Sequence, residues 1–141
     1  MVVALPFIQT REGTKLTAYQ DIANVWTICS GVAYVPKGTV YTEAQCTDLD
    51  RETIGKHMKQ VASELKVPVS AKTLAALTSF HYNIGDAGFR RSTTLRYFNN
   101  NEPEGGCRAM ILWNKVGNRV SAGIVNRRQA EIKLCLAGLN D

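Results

Sequence analysis

The segment REGTKLTAYQDIANVWTICSG, residues 11–31, holds two carboxylates and a hydroxyl at positions suited to acid–base chemistry. Glu12 ends an apolar stretch, Asp21 lies in a polar run, and Thr27 follows in a run of β-branched and aromatic residues. A carboxyl group shielded by apolar side chains resists ionisation and can act as a general acid near neutral pH. An exposed carboxylate stays ionised and can act as a base, a nucleophile or an electrostatic stabiliser. Two carboxyl groups in such contrasting settings are what glycoside hydrolysis requires.

Each of these residues also has a purely structural interpretation. Glu12 alone is a surface residue at a frayed helix end, and Asp21 alone is a turn former. The combined spacing favours a functional interpretation, because a hydroxyl at Thr27 on a returning strand can face Asp21 and hold a water molecule.

Helical and strand patterns alternate around these residues. Leu5, Ile8 and Glu12 follow helical spacing, which places Glu12 on or beside the apolar face of a short first helix. Gly13 is the natural stop of that helix. From Lys15 to Ile28 the segments KLTAYQD and VWTIC have strand composition, and DIAN between them has turn composition. The pattern predicts a β-hairpin directly after the first helix.

The remaining chain is predicted to be helical after one further strand or loop at residues 32–41. Thr42 and Gln45 form a capping-box pattern that opens a helix to about Leu65, with a break near Thr53. Later helices are predicted from Ser70 to Asn83, from Ser92 to about Asn100, from Pro103, and from about Ile124 to Ala137. Short strands followed only by helices indicate an α+β fold, with a small hairpin lobe against a larger helical lobe and a ligand cleft between them.

Composition and charge narrow the class of protein. At 141 residues the chain matches one domain, and 45% apolar with 21% charged residues is typical of a globular protein without low-complexity tracts. The net charge of +5 suits a negatively charged partner such as nucleic acid, an anionic membrane or an acidic wall polymer. Because the basic residues are scattered, a solvated, mildly basic surface explains the charge equally simply.

The four cysteines, Cys29, Cys46, Cys107 and Cys135, are widely spaced and have no histidine nearby, which argues against a zinc site. They form either two disulfides in an oxidising compartment or four buried thiols in a reducing one. The N-terminal segment MVVALPFI is too short to span a bilayer and lacks signal-peptide features. Either the cysteines are therefore reduced, or Met1 begins a shortened form of an exported protein.

Three segments carry a family resemblance. EGTKLTAYQDIANVWTICSG resembles the opening signature of the phage-type lysozymes, muramidases that read Glu-Gly, Leu-x-Ala-Tyr-x-Asp and then Trp-Thr-Ile. LAALTSFHYNIGDAGFRRSTTLRYFN resembles their central helix and the segment after it, and GIVNRRQAEIKLCL resembles their final helix. Residues 33–69 are less distinctive. The cysteines make the chain most similar to endolysins of lambdoid-like phages of the signal-anchor-release kind, here without the N-terminal anchor.

The resemblance implies a lysozyme-like fold and a set of site residues. Glu12 takes the position of the general acid, Asp21 that of the second catalytic carboxylate and Thr27 that of the water-positioning threonine. Arg127 takes the position of an arginine that pairs with the catalytic glutamate. Asn83, beside Tyr82, takes that of a polar residue lining the cleft. Without the family resemblance, the sequence alone indicates that Arg127 is a surface cation and that Asn83 lies near a helix C-cap.

The chain departs from the family after the catalytic threonine. Many members read Thr-Ile-Gly-Tyr-Gly-His there, whereas this chain reads TICSGV at residues 27–32. The missing histidine removes an expected ion pair, and a Cys29–Cys46 disulfide is expected to replace that anchorage at about 3 kcal/mol. Cys107 is then expected to pair with Cys135.

The resemblance also implies an activity. It is hydrolysis of the β-1,4 bond between N-acetylmuramic acid and N-acetylglucosamine in peptidoglycan, with inversion, which lyses the host at the end of phage infection. The expected form is a monomer of one catalytic domain (β lobe at about 13–41, helical lobe at 1–12 and 42–141) in the host periplasm. The full-length form would first be anchored in the inner membrane. No cofactor, metal or nucleic-acid partner is expected, and the membrane is a partner only through the absent anchor. The alternatives are a lytic transglycosylase acting on the same bond and a non-catalytic basic wall-binding module.

Overall fold

A computed structural model describes the whole chain, Met1–Asp141, as seven α-helices and five short strands, which confirms the α+β class. The helices are α1 Ala4–Glu12, α2 Glu43–Glu64, α3 Ala71–Ile84, α4 Asp86–Arg90, α5 Thr93–Asn99, α6 Pro103–Ala109 and α7 Ala122–Gly138. The strands are β1 Lys15–Gln20, β2 Trp26–Cys29, β3 Val32–Ala33, β4 Lys115–Val116 and β5 Arg119–Val120. None of these helices combines the length and the apolar character that crossing a membrane requires. The structure divides into an N-terminal unit, Met1–Lys56, and a C-terminal unit, His57–Asp141.

The N-terminal unit begins as the sequence predicts. α1 ends at Gly13, whose φ of 76° is accessible to glycine at little cost, and the chain turns into an antiparallel sheet of order β1-β2-β3. Within the first hairpin Tyr19 pairs with Thr27 and Gln20 with Trp26. A small core below the sheet is formed by Ile28 and the cysteines of β2 and α2.

Helix α2 is capped and ends as predicted, but it lacks the predicted break. The Thr42 N–H donates to Gln45 Oε1 at 2.8 Å, and the Gln45 N–H donates to Thr42 Oγ1 at 3.1 Å. The predicted break near Thr53 is wrong, since the helix runs unbroken from Glu43 to Glu64. Ile54 and Val61, two turns apart, are both fully buried, and their burial outweighs the weak helix preference of the residues around them.

The C-terminal unit is built around the packing of α3 against α7. Ser70 caps α3 by accepting the Thr73 N–H at 3.3 Å. The core of this unit combines aromatic, aliphatic and cysteine side chains. The prediction that only helices follow the first sheet is wrong here, because β4 and β5 form a second antiparallel hairpin. Its strands are two residues each and exposed, so they lack the alternating pattern that identifies longer strands.

Each unit contains one disulfide, and no cysteine is free. Cys29 of β2 is bonded to Cys46 of α2, and Cys107 of α6 is bonded to Cys135 of α7. These are the pairs expected from the resemblance, and they replace the alternative of four buried thiols.

Candidate active site

Asp21 is fixed by the turn between β1 and β2. Its Oδ1 accepts the backbone N–H of Ala23 at 2.8 Å and that of Val25 at 2.9 Å, and its own N–H donates to the Val25 carbonyl at 3.0 Å. An aspartate that bonds backbone two residues ahead is a common turn device. The turn uses only Oδ1, so Oδ2 lies outside this hydrogen-bond pattern. The turn position of Asp21 had suggested an exposed carboxylate, but in the structure Asp21 is half-buried.

The Thr27 hydroxyl is buried and acts as a hydrogen-bond donor to the backbone. Only 4% of the residue is exposed, and its hydroxyl donates to the Val25 carbonyl at 2.9 Å. A hydroxyl carries one hydrogen, so Thr27 Oγ1 is left with acceptor capacity only. A water molecule reaching this atom would have to donate a hydrogen to it.

Glu12 occupies the last position of α1, as predicted, but its side chain is not shielded by apolar residues as expected. The helix buries Ala4, Leu5 and Ile8, whereas Glu12 is exposed. The expected shielding by the apolar face is therefore wrong. Burial declines toward the end of the helix because the chain leaves the core at Gly13.

Tyr19 connects these residues electrostatically. It is paired with Thr27 across the hairpin, so the two side chains lie on the same face of the sheet. Partial burial raises the pKa of Tyr19 above its usual value of 10.0, and the charges of Glu12 and Asp21 raise it further. Both carboxylates therefore act on one phenol. The sequence assigned Tyr19 only to a strand, although its place two residues before Asp21 in LTAYQD was visible.

Asp50 is a second residue that the sequence did not single out. It is fully buried, and its carboxylate accepts the Ser30 N–H at 3.0 Å through Oδ1 and the Gln9 amide at 3.0 Å through Oδ2. It thereby ties α1 and the β2–β3 turn to α2. Together with the Cys29–Cys46 bond, Asp50 supplies the anchorage that the missing histidine left open.

Arg127 lies in a buried ionic cluster of the C-terminal unit. It is 7% exposed, and its Nε donates to Glu131 Oε2 at 3.2 Å while Nη2 donates to the Ser79 carbonyl at 3.0 Å. Glu131 is fully buried and also accepts from Arg128 Nη1 at 2.6 Å. The interpretation of Arg127 as a surface cation is wrong. Both guanidinium groups therefore share the Glu131 carboxylate.

Asn83 and Tyr82 lie at the end of α3 with different partners. Asn83 is exposed, and its Oδ1 accepts from Arg128 Nη2, while Arg128 Nε donates to the Trp113 carbonyl at 2.8 Å. Asn83 also lines a cavity of about 470 Å³ together with Trp113. Tyr82 is half-buried, with its ring centroid 4.7 Å from that of His57. The C-cap of α3 is Gly85, so the side chain of Asn83 serves this cluster and not the cap.

A third polar cluster joins α2, α3 and α4. Ligand atoms of Glu64, His81 and Asp86 lie within 4.8 Å of one another, a set that could hold a metal ion. In the structure the Arg90 guanidinium supplies the positive charge, with Nε 2.7 Å from Glu64 and 3.0 Å from Asp86. His81 Nε2 lies 2.8 Å from Asp86, and His81 Nδ1 lies 2.7 Å from His57 Nδ1. Burial and the neighbouring His81 lower the pKa of His57 to about 4.

Known proteins resemble the chain over most of its length. The phage lysozyme family profile matches residues 9–131. The SAR-endolysin of Pseudomonas phage phiKMV is 41% identical over 96% of this chain and 88% of its own length, and that of Enterobacteria phage PA-2 is 34% identical over 90% and 78%. Among solved structures, the endolysin from Escherichia coli O157:H7 phage FAHEc1 matches with a TM-score of 0.87 at 30% identity, covering 96% of this chain and 92% of its own. The muramidase domain of SpmX from Asticaccaulis excentricus matches with a TM-score of 0.90 at 26% identity, covering 96% of both chains.

Proposed function

Since the chain belongs to the phage lysozyme family, we propose that Glu12, Asp21 and Thr27 are the residues with which it cleaves peptidoglycan. The protein is a phage endolysin, a glycoside hydrolase of the muramidase type whose role is host lysis. The observation that carries the residue assignment is the arrangement around Val25. Asp21 and Thr27 both bond to the backbone of this one residue, and each retains an oxygen that can accept a hydrogen bond.

The attacking group is a water molecule held by two acceptors. It donates one hydrogen to Asp21 Oδ2 and the other to Thr27 Oγ1, which leaves an oxygen lone pair directed at the anomeric carbon. Asp21 takes the first of these protons as the new carbon–oxygen bond forms. Because Thr27 has spent its own hydrogen on the Val25 carbonyl, it cannot compete for that lone pair.

Glu12 completes the reaction from the leaving-group side. It protonates the glycosidic oxygen between N-acetylmuramic acid and N-acetylglucosamine as the β-1,4 bond breaks. Water attack on the opposite face inverts the anomeric configuration and requires a carboxyl separation of roughly 6.5–9.5 Å, compared with about 5 Å for retention. Solvent returns a proton to Glu12 and removes one from Asp21, so no cofactor is consumed.

Arg127, Tyr82 and Asn83 are proposed to support substrate binding. The guanidinium groups of Arg127 and Arg128 are positively charged, which suits the anionic peptide carboxylates of peptidoglycan. Asn83 is exposed and lines a cavity, and its amide group can hydrogen-bond sugar hydroxyl groups. The pairing of Arg127 with Glu12 that the resemblance implies stays a prediction.

The relatives named SAR-endolysin imply release to the periplasm, where the enzyme acts on peptidoglycan. We propose that a longer form is first held in the inner membrane by an N-terminal anchor. The 141 residues are proposed to act as one catalytic domain and as a monomer, without nucleic acid as a partner.

The deciding experiment is mass spectrometry of purified peptidoglycan digested with the protein and with its Glu12→Gln variant. Hydrolysis by the unchanged protein adds one water to each cleaved bond, and Glu12→Gln abolishes product while keeping the fold. Products lighter by one water would identify a lytic transglycosylase. Salt-sensitive binding without any cleavage would identify a wall-binding module. Full activity of Glu12→Gln would remove Glu12 from the mechanism.

A further inference from the structure

Three helices of the C-terminal unit bring three metal-binding side chains together. Glu64 is the last residue of α2, His81 lies in the last turn of α3, and Asp86 is the first residue of α4. One ligand atom from each, a carboxylate oxygen or a ring nitrogen, lies within 4.8 Å of the others. Ligand atoms bound tetrahedrally to one zinc ion lie about 3.3 Å apart, so modest side-chain rotation closes this set onto an ion.

The imidazole of His81 already has the orientation that a metal ligand needs. The residue is fully buried, and its ring packs edge-on against the rings of Phe89 and His57, with centroids 5.3 and 4.8 Å away. Its Nε2 lies 2.8 Å from Asp86 Oδ1, and its Nδ1 lies 2.7 Å from His57 Nδ1. When Nε2 binds a metal, the ring hydrogen is on Nδ1, where His57 can accept it. Metal-binding histidines commonly donate their second ring N–H to such an outer partner.

Glu64 provides a carboxylate oxygen that no protein group uses. Its Oε1 accepts from Arg90 Nε at 2.7 Å, whereas its Oε2 is buried and has no hydrogen-bond donor. A buried carboxylate oxygen without a donor lowers stability unless another positive group reaches it. The position of Glu64 is fixed by Asn99, whose Nδ2 donates to the Glu64 carbonyl at 3.0 Å. The end of α2 therefore presents a carboxylate oxygen suited to a cation.

The cation that these carboxylates hold is an exposed arginine. Arg90 Nε lies 2.7 Å from Glu64 Oε1 and 3.0 Å from Asp86 Oδ2, so one guanidinium bridges both acids. The Arg90 side chain is 68% exposed, whereas those of Glu64 and Asp86 are 13% and 25% exposed. The guanidinium can therefore turn into solvent, and its departure opens a path for an ion. A divalent ion balances the charge of both carboxylates, whereas Arg90 balances only one.

We propose that Glu64, His81 and Asp86 form a binding site for a divalent transition metal of the zinc type, which enters by displacing the Arg90 side chain. Zn²⁺ accepts nitrogen and oxygen ligands together, and three protein ligands leave its fourth position to water. Mg²⁺ and Ca²⁺ prefer oxygen ligands alone, so His81 disfavours them. The bound ion joins α2, α3 and α4 and stabilises the C-terminal unit. The family resemblance implied no metal, so this site goes beyond the proposed cleavage of peptidoglycan and does not depend on it.

The test is isothermal titration of Zn²⁺ into untagged protein that has been treated with a chelator. We expect one ion to bind to each chain. Asp86→Asn removes a charged ligand and should weaken binding by about a hundredfold. Arg90→Ala removes the competing cation and should tighten binding by about tenfold. The control is Asp48→Asn at an exposed position of α2, which should bind Zn²⁺ as the unchanged protein does.

Thermal melts with and without Zn²⁺ provide the second readout. Arg90→Ala leaves two carboxyl groups without their cation and should melt at a lower temperature than the unchanged protein, and Zn²⁺ should restore the difference. A loss of stability that Zn²⁺ does not restore would show that the cluster is an ion-pair network only and would overturn the proposal. Equal Zn²⁺ affinity in Asp86→Asn would mark an adventitious surface site, and equal affinity in Arg90→Ala would remove the displacement of the guanidinium; either result also overturns it.

Circular dichroism checks that each variant folds. Glu64→Gln, at a partly exposed position, takes the place of Asp86→Asn where that variant does not fold, with the same expected loss of affinity. None of these measurements uses peptidoglycan cleavage, so a failure of the catalytic roles proposed for Glu12 and Asp21 leaves this test unchanged.

Discussion

Asp21 and Thr27 are held by the backbone of one residue, Val25: Asp21 Oδ1 accepts its N–H at 2.9 Å, and the Thr27 hydroxyl donates to its carbonyl at 2.9 Å. The two side chains therefore have fixed orientations before any substrate binds. Such preorganisation reduces the rearrangement that the reaction requires. Because the two hydrogen bonds use different atoms of Val25, the Asp21 carboxylate and the Thr27 hydroxyl can be tested separately.

Replacing Asp21 with Asn should abolish activity while leaving the fold intact. The amide oxygen can still accept the N–H groups of Ala23 and Val25, so the turn is preserved, but an amide cannot take a proton from water. We expect kcat to fall by about a hundredfold or more. The release of reducing ends from peptidoglycan measures this, and Asp48→Asn, at an exposed position of α2, is the control. Activity near that of the control would show that Asp21 is only a turn residue.

Replacing Thr27 with Val keeps the shape of the side chain and removes its oxygen. The water molecule then loses one of its two acceptors, and kcat should fall by roughly tenfold to a hundredfold. The Val25 carbonyl also loses its donor, which should lower the free energy of unfolding by about 1 kcal/mol. Thr27→Ser retains the oxygen and should recover most of the activity. Urea denaturation and initial rates, measured on both variants, separate the two effects, and equal rates would contradict the proposed role of the hydroxyl.

The free energy of unfolding should decrease as the pH falls from about 6.5 to 4 because of His57. The pKa of this histidine is lowered to about 4 in the fold, whereas in an unfolded chain it is about 6.5. Between these values the unfolded state binds more protons, so acid favours unfolding. His57→Gln should show a shallower dependence on pH over this window. Urea melts at several pH values provide the measurement, and an unchanged slope would mean that His57 does not contribute.

Opening either disulfide should destabilise the protein without changing its active-site residues. The bonds close chain segments of 17 and 28 residues, for which the chain-entropy model gives about 3 and about 3.5 kcal/mol. We expect the Cys29→Ser/Cys46→Ser pair to lower activity at high temperature as well, because Cys29 lies in the strand that carries Thr27. Thermal melts of both double variants test this. Peptide mapping without reduction checks the pairing, and a Cys29–Cys107 link would contradict it.

The sequence predicted the local structure around the site well for physical reasons that act over short distances. Gly13 ends α1 because the chain needs a positive φ there, and the capping box at Thr42 and Gln45 starts α2 through two reciprocal hydrogen bonds. The hairpin of β1 and β2 follows from the composition of its strands and from the aspartate in its turn. All of these depend on neighbours within a few residues.

Long-range contacts decided what the sequence left open or misplaced. Asp50 gained its role only when the fold brought Gln9 and Ser30 to it, from 41 and 20 residues away. Arg127 became a buried residue because α3 brings Ser79 to it from 48 residues away, and α2 continued past Thr53 because its later turns are buried.

By itself, the sequence determined the kinds of chemical group available and their order in the first helix and hairpin. The exposure of Glu12, the shared action of both carboxylates on Tyr19 and the anchoring of the site by Asp50 were decided by the tertiary structure. Solvent access and electrostatic interaction depend on distances through space, which residue spacing along the chain fixes only within a single turn, strand or helix.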